Sequence, residues 1–190
     1  MIEIDDRGDC TKAAAEQLPK YLPHKTCVEV KRLVHGDVEW DGKDSRVYVE
    51  LKRADDLVQS LLSGHMQDQE ARMLELDGDK YVVIVGEVRS GQSGDTWTEH
   101  IPSKITGSTG MDAMLRTGFE EATRYYKAFR FPYSGTLNYL SRIQELGIGV
   151  VHVAQEADLG IALFGMYNRS LKVKSSMVAR TVSKKLDPQV

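Results

Sequence analysis

The apolar run YVVIV, residues 81–85, constrains the fold more than any other stretch of this sequence. A strand with one solvated face alternates apolar and polar residues, whereas this run is apolar throughout. Continuous runs rich in valine and isoleucine are typical of a central strand that is buried on both faces. We therefore predict a β-sheet that is covered by helices on each side.

Strands and helices alternate along the rest of the chain. Further strands are predicted at 2–4, 26–34, 46–51, 96–101 and 148–153. Helices are predicted at 12–22, 55–62, 66–76, 111–131, 137–146 and 156–167. The alternation indicates an α/β fold with a central mixed β-sheet flanked by helices, in one domain over residues 1–168. This domain carries an insertion of loop plus helix at 89–135, and a basic tail follows at 169–190.

The composition is ordinary for a soluble globular protein. Of the 190 residues, 41% are hydrophobic and 28% are charged, and the net charge of −3 does not by itself indicate a polyanion-binding protein. Cys10 and Cys27 lack a CxxC spacing, so free thiols in a reducing compartment are expected. No apolar run approaches the roughly 20 residues of a membrane-spanning helix. We predict an intracellular protein without a membrane segment or a signal peptide.

One predicted strand carries charge in an unusual arrangement. Side chains two residues apart on a strand share a face, so Glu50 and Lys52 lie together while Val49 and Leu51 face the core. Asp37 precedes this strand across a tight connection that can bring it beside Glu50. Two carboxylates with a neighbouring backbone carbonyl suit Mg²⁺ or Mn²⁺, and a lysine beside them can stabilise developing charge. Taken alone, the pattern more often marks the solvated face of an edge strand than a metal site.

Residue spacing argues against two other kinds of site. The histidines show neither HxxxH nor HExxH, which argues against a zinc site. The segments GQSG and GSTG lack the Gly-Lys-Ser/Thr that completes a phosphate-binding loop, so no nucleotide cofactor is expected.

The residues around the charged strand form a longer pattern. In chain order they are Gly36, Asp37, Glu50, Lys52, Asp56, Leu57, Ser60, Leu61, Gly64 and Gln69. This order resembles the motif GD…ERKxxxDLxxSLxxGRxxxQ of the nuclease domain of XPF-type structure-specific endonucleases. The segment IEIDDRG is similar to the first-strand VDxRE of that family and places Asp5 and Arg7. The match covers about residues 1–87 and resumes more loosely at YLSRIQELGIGVVHVAQEADLGIALF.

The resemblance implies a restriction-endonuclease-like core of the PD-(D/E)xK superfamily, and Mg²⁺- or Mn²⁺-dependent cleavage of branched, flapped or forked DNA in repair or recombination. It implies that Asp37 and Glu50 bind the metal and that Asp5 assists it, directly or through water. Lys52 would stabilise charge. The full catalytic set that it implies is Asp5, Arg7, Asp37, Glu50, Lys52 and Asp56. At a helix start, Asp56 would either cap free N–H groups or orient the basic residues Lys52 and Arg7.

The chain departs from the family motif at residues expected to contact DNA. The middle arginine of the motif is Leu51 here, and the adjacent Arg53 points to the other face if the strand continues. His65 replaces a motif arginine, although an imidazole can still contact a phosphate. Gln69 keeps its motif position. Arg53, His65 and Gln69 are accordingly predicted to contact DNA.

The segment RTGFEEATRYYKAFRF, residues 116–131, interleaves cations with aromatic rings. This composition suits partly single-stranded DNA, because rings stack on bases and cations neutralise phosphates. Phe119, Tyr126 and Phe129 are at helical spacing, which favours core packing for the rings. The predicted DNA contacts on this helix are Arg124, Lys127 and Arg130.

The expected partner is DNA that is branched or partly single-stranded. XPF-type enzymes usually add a tandem helix-hairpin-helix module, and neither that module nor a helicase part is recognisable here. Either the basic tail and the 111–131 segment replace this module, or a partner protein supplies DNA selectivity. The resemblance also implies homodimerisation through the nuclease domain. Two alternatives remain open, namely a restriction-like or Holliday-junction-resolving nuclease on the same core, and a catalytically silent DNA-binding partner subunit. A cytoplasmic location with the nucleoid is expected, or the nucleus if the source is eukaryotic.

Overall fold

The apolar run predicted to be central lies inside the main sheet of the structure, a computed structural model that describes residues 1–100 and 125–172. In this part of the chain the strands are β1 (Ile2–Asp5), β2 (Val28–Lys31), β3 (Val38–Asp41), β4 (Arg46–Arg53), β5 (Asp79–Val85), β6 (Val88–Ser90), β7 (Asp95–His100), β8 (Tyr125–Pro132) and β9 (Ile148–Val153). Six of them form a sheet in the order β2-β1-β3-β4-β5-β9. Strand β3 is antiparallel to both neighbours and the other pairs are parallel, so the sheet is mixed, as predicted.

Helices cover both faces of this sheet. They are α1 (Asp9–Gln17), α2 (Ala54–Ser63), α3 (His65–Leu74), α4 (Tyr133–Glu145) and α5 (Leu159–Ser170). One hydrophobic core joins the sheet to α1 and α5, and contains Trp40 from β3. A second core joins the opposite face to α2, α3 and α4. Strand β5 contributes Val83 to the first core and Ile84 to the second, which confirms the strand buried on both faces.

The helix predicted at 111–131 is wrong over its described portion, because residues 125–132 form strand β8. This strand pairs with β7 in a separate three-stranded sheet of order β6-β7-β8. Phe129 is buried and Phe131 packs against the second core. These two rings are two residues apart, which is the spacing of a strand and not of a helix. Aromatic residues favour strands, and the helical spacing from Phe119 to Phe129 was coincidental. Residues 111–124 of the predicted helix lie outside the described residues.

Two further predictions need adjustment. The strand predicted at 26–34 is confined to Val28–Lys31, and Val38–Asp41 forms a strand that the sequence did not suggest. The tail predicted from residue 169 begins inside α5, which ends at Ser170, and residues 173–190 lie outside the described part. Cys10 and Cys27 are free, as predicted. Within the described residues, no helix is long and apolar enough to cross a membrane.

Candidate active site

The charged residues of β4 lie on an interior strand of the main sheet. Strand β4 pairs with β3 on one side and β5 on the other, so its charges do not belong to an edge. Val49 and Leu51 enter the first core, which directs Glu50 and Lys52 to the opposite face, as predicted. This position excludes the alternative of a solvated edge strand. Charged groups on an interior strand call for a specific role, because burial penalises them.

A glycine turn brings Asp37 to the same place. Gly36 has φ +64°, and a Cβ built there would lie 3.0 Å from the carbonyl oxygen of Val49. The next backbone N–H, that of Asp37, donates to this same carbonyl at 2.8 Å. Oδ2 of Asp37 then accepts a hydrogen bond from the backbone N–H of Leu51 at 2.7 Å. Glycine is required here because a side chain would strain a left-handed backbone and crowd β4.

Gln69 connects the two charged side chains of β4. Its Nε2 donates to Oε1 of Glu50 at 2.8 Å, and its Oε1 accepts from Nζ of Lys52 at 2.9 Å. Within the described residues Glu50 and Lys52 form no direct ion pair, so the amide of Gln69 stands between them. The sequence predicted Gln69 as a DNA contact, and the structure shows its amide hydrogen-bonded to Glu50 and Lys52.

Both acidic residues of the site hold their protons more tightly than usual. Burial raises the pKa of Asp37 to about 6, although the hydrogen bond from Leu51 opposes the shift. Burial raises the pKa of Glu50 to about 7, and the nearby charge of Asp37 adds to the effect. Lys52 lowers the pKa of each acid but does not cancel the cost of burial. A second positive charge would therefore be stabilised strongly between these carboxylates.

Asp5 and Arg7 form a pair beside Asp37. Both carboxylate oxygens of the buried Asp5 accept hydrogen bonds from Arg7, which holds the pKa of Asp5 below its usual range. The guanidinium of Arg7 also donates to the carbonyl of Leu33 at 2.9 Å. The backbone N–H of Asp5 donates to the carbonyl of Asp37 at 2.8 Å, so β1 and the glycine turn are joined. Asp5 is thus close to the predicted metal ligands, but Arg7 occupies its oxygens.

A cleft of about 290 Å³ opens in front of these groups. Its polar lining residues are Asp5, Arg7, His35, Asp37, Glu50, Gln69 and Arg72. Lys52 does not line the cleft itself, but it touches Gln69, which does. The sequence missed Arg72, which is exposed and lies one helical turn beyond Gln69 on α3. The i, i+3 spacing from Gln69 was the signal that could have found it.

The remaining predicted site residues lie around this cleft. Asp56 is in the first turn of α2, whose N-cap residue is Arg53, so Asp56 is not the N-cap. It lines a second cavity of about 440 Å³ with Arg7, Asp37 and Arg53, and burial raises its pKa. Arg53 forms an ion pair with Glu156 at 2.9 Å on the α1 and α5 side of the sheet. His65 is exposed at the first residue of α3 and lines neither cavity.

The described part of the predicted cationic cluster, Lys127 and Arg130, lies on a strand. Lys127 shares a face with Phe129, and Arg130 lies where the register of β8 against β7 shifts between Phe129 and Pro132. The ammonium of Lys127 lies 4.7 Å from the ring centroid of Phe129. Arg124 lies outside the described residues. A single helical face that presents all three cations is therefore not formed, because the segment is a strand from Tyr125 onward.

A family comparison matches the ERCC4 domain over residues 9–159. The chain belongs to the ERCC4 domain family. The resemblance to XPF-type endonucleases is thereby confirmed. The matched residues run from the first residue of α1 to the first residue of α5. Among curated proteins no sequence matches significantly.

Two solved structures of XPF from Aeropyrum pernix resemble this ERCC4 domain. One matches with a TM-score of 0.58 and 14% identity, over 95% of this chain and 68% of the XPF chain. The other, a complex with DNA, matches with a TM-score of 0.53 and 13% identity, over 89% of this chain and 64% of its own. These likenesses confirm the predicted nuclease-domain fold. The chain spans about two thirds of the length of either XPF chain.

Proposed function

We propose that this ERCC4 domain is a DNA endonuclease that hydrolyses phosphodiester bonds with Mg²⁺ or Mn²⁺. The observation that carries the proposal is the placement of Glu50 and Lys52 on one face of an interior strand, beside Asp37 and a cleft. Burial of two acids at one site is costly. A divalent cation supplies the charge that makes such a pair stable, and phosphodiester hydrolysis uses such a cation.

The donor atoms fit a hard divalent cation with two protein ligands. In the described residues Oδ1 of Asp37 and Oε2 of Glu50 accept no hydrogen bond, while their other oxygens are held by Leu51 and Gln69. Mg²⁺ commonly binds through one or two carboxylates and keeps several waters. No group of three His, Cys, Asp or Glu side chains within residues 1–100 and 125–172 is arranged to hold a metal ion. We therefore propose Asp37 and Glu50 as direct ligands, with Asp5 acting through Arg7 or water.

Each residue of the site then has a separate task. A divalent cation held by Asp37 and Glu50 would supply Lewis-acid chemistry, polarising a phosphoryl oxygen and lowering the pKa of water. Lys52 provides positive charge where negative charge develops on the phosphate. Arg7, fixed by Asp5 and by the Leu33 carbonyl, adds stationary positive charge to the cleft wall. These groups are held by backbone and side-chain hydrogen bonds before substrate arrives, which lowers the cost of orienting them during the reaction.

We assign a DNA phosphate contact to Arg72. It is exposed, it lines the cleft, and within the described part of the chain no hydrogen bond or ion pair engages it. A cation without a partner at the rim of an acidic cleft can bind a phosphate without first breaking another contact. Arg72 would thus supply a positive charge that Leu51, in the position of the motif arginine, does not provide.

Branched, flapped or forked DNA is the proposed substrate, as membership of the ERCC4 family implies. The XPF structure that carries DNA supports binding of a nucleic acid by this fold. We propose that a second copy of the chain or a partner protein provides additional DNA contacts. The protein would act where DNA is, in the cytoplasm with the nucleoid or in a nucleus.

The test compares labelled forks, flaps, Holliday junctions and plain duplex in Mn²⁺, in Mg²⁺ and in EDTA. We expect metal-dependent cleavage near branch points by the wild type and by Lys43→Ala, which removes an exposed charge from the turn between β3 and β4. Glu50→Ala should abolish cleavage. Symmetric cuts across junctions alone would instead favour a junction-resolving enzyme.

Two results would contradict the endonuclease proposal. The first is no cleavage of any DNA in either metal, with binding retained, which would favour a silent partner subunit. The second is equal cleavage by the wild type and Glu50→Ala, because the activity would then come from another site or a contaminant.

A further inference from the structure

We propose that Gln69 is a positioning residue for Glu50 and Lys52, and that it does not contact DNA. This inference rests on the proposed function and deepens it, because it concerns the same site. Gln69 projects from α3 and is half-buried, so its side chain reaches β4 from above rather than the solvent. Each end of its amide already has a partner in the protein, at 2.8 Å and 2.9 Å.

The amide keeps two opposite charges apart. Glu50 and Lys52 lie two residues apart on one strand face, a distance over which their long side chains can meet directly. A direct ion pair would occupy the carboxylate oxygens and hold the ammonium against Glu50. Gln69 instead satisfies Oε1 of Glu50 with a neutral donor and satisfies Nζ of Lys52 with a neutral acceptor. Oε2 of Glu50 is left for a cation.

Only a primary amide of this length performs both tasks. Glutamate at this position would accept from Lys52 but could not donate to Glu50, and it would add a third carboxylate to a site where two already repel. An apolar side chain of the same size would serve neither partner. The prediction is therefore specific to the chemistry of the amide and not to the space that it fills.

Helix α3 is anchored firmly enough to hold the amide in place. Met66 and Met73 are buried in the second core on either side of Gln69. The adjacent Glu70 is also buried, and its Oε1 accepts a hydrogen bond from Arg142 of α4. The helix is thus fixed both by apolar packing and by an ion pair to its neighbour. A side chain on a helix fixed in this way has a defined position relative to β4.

The experiment uses Gln69→Met, which preserves size, and Gln69→Glu, which preserves only the acceptor. Arg72→Ala is the matched neighbour, because it changes the same face of the same helix. Three quantities are measured for each chain, namely Mn²⁺ affinity by calorimetry without DNA, forked-DNA affinity in Ca²⁺, and the single-turnover cleavage rate at saturating DNA in Mn²⁺. Circular dichroism and thermal unfolding check that every variant is folded.

We expect Gln69→Met to weaken Mn²⁺ binding and to slow cleavage, each by roughly 10- to 100-fold, as loss of an outer-shell partner typically does. Gln69→Glu should slow cleavage to a similar extent. Forked-DNA affinity of Gln69→Met should stay within about twofold of wild type. Arg72→Ala should show weaker DNA binding with Mn²⁺ affinity at or above the wild-type value, because Arg72 places positive charge near Glu50.

The inference is overturned if Gln69→Met weakens DNA binding while Mn²⁺ affinity and the saturated cleavage rate stay at wild-type values. Its failure is distinguishable from failure of the proposed function. If the wild type cuts no DNA, loss of Mn²⁺ affinity in Gln69→Met still supports the inference while the endonuclease proposal fails. If the wild type cuts DNA and Gln69→Met matches it in all three measurements, the inference fails alone.

Discussion

The backbone N–H of Leu51 donates to Oδ2 of Asp37 at 2.7 Å, so the strand that presents Glu50 also holds the neighbouring carboxylate. One proposed metal ligand is thereby fixed to the backbone beside the other. The bond leaves Oδ1 of Asp37 without a hydrogen bond in the described structure. Because the two acids repel when both are ionised, this geometry has measurable effects on stability, on metal binding and on pH dependence.

Stability without a divalent cation should fall as pH rises from about 5 to about 8. Folding raises the pKa of Asp37 to about 6 and that of Glu50 to about 7. Above their ordinary pKa values the unfolded chain has lost these protons while the folded chain still holds them, so the folded state loses its advantage as pH climbs through 7. We expect a fall of about 4 kcal/mol in the free energy of unfolding, measured by denaturant titration in EDTA.

The same titration has a built-in control. Glu50→Gln should be more stable than wild type at pH 8 in EDTA and should show a shallower dependence on pH, because one repelling charge is gone. Added Mn²⁺ should stabilise the wild type at pH 8 and have little effect on this variant. A wild type whose stability is level across this pH range, or a steeper dependence in Glu50→Gln, would contradict the prediction.

Asp37 and Asp5 should differ in their effect on metal affinity. Asp37→Asn removes a proposed ligand and should weaken Mn²⁺ binding by at least about tenfold. Asp5→Asn should change it by no more than about threefold, since Arg7 occupies the oxygens of Asp5. Calorimetry of the two variants side by side makes the comparison. Equal losses would identify Asp5 as a direct ligand.

Gly36→Ala should disrupt the site through the backbone. The new Cβ would lie 3.0 Å from the Val49 carbonyl at a residue with φ +64°, so the turn must shift or β4 must yield. We expect a loss of about 1 to 3 kcal/mol in the free energy of unfolding, together with weaker Mn²⁺ binding. Gly64→Ala is the control, since it shares a positive φ but meets no atom within 4 Å. Similar metal affinity in both variants would disprove the crowding argument.

Arg72→Ala should reduce DNA affinity in a salt-dependent way. Removal of one phosphate contact lowers the slope of log affinity against log salt concentration by about one, with a several-fold loss of affinity at low salt. Lys43→Ala removes an exposed charge from the turn between β3 and β4 and should leave the slope unchanged. Binding of forked DNA in Ca²⁺ at several salt concentrations provides the measurement. An unchanged slope for Arg72→Ala would exclude the assigned contact.

The face of β4 was predictable because strand periodicity alone separates Glu50 and Lys52 from Val49 and Leu51. The position of β4 inside the sheet was not predictable, because it depends on the neighbouring strand β3. Strand β3 has only two buried residues, Val38 and Trp40. A segment this short gives little periodic signal. The hydrogen bonds of Gln69 could not be predicted from the sequence either, because predicting them requires knowing that α3 crosses above β4.

The error at 125–132 has a similar origin. Phe129 and Phe131 repeat every two residues, while Phe119 and Phe129 fit a helix equally well. Pairing with β7, which buries Thr96 and Thr98 on the same face as Phe129, decides between the two periods. Such a partner lies about 30 residues away in the chain and is invisible to a local pattern.

The Asp37–Leu51 hydrogen bond also makes the geometry of the candidate site depend on sheet assembly. A shift of β4 by one residue against its neighbours would turn Glu50 and Lys52 into the α1 and α5 layer and present Val49 or Leu51 to the cleft. Asp37 would at the same time lose its backbone donor. The active site therefore has no local precursor on the unfolded chain. It forms only with the correct strand register, so the proposed Mn²⁺ binding would also report whether the sheet has assembled correctly.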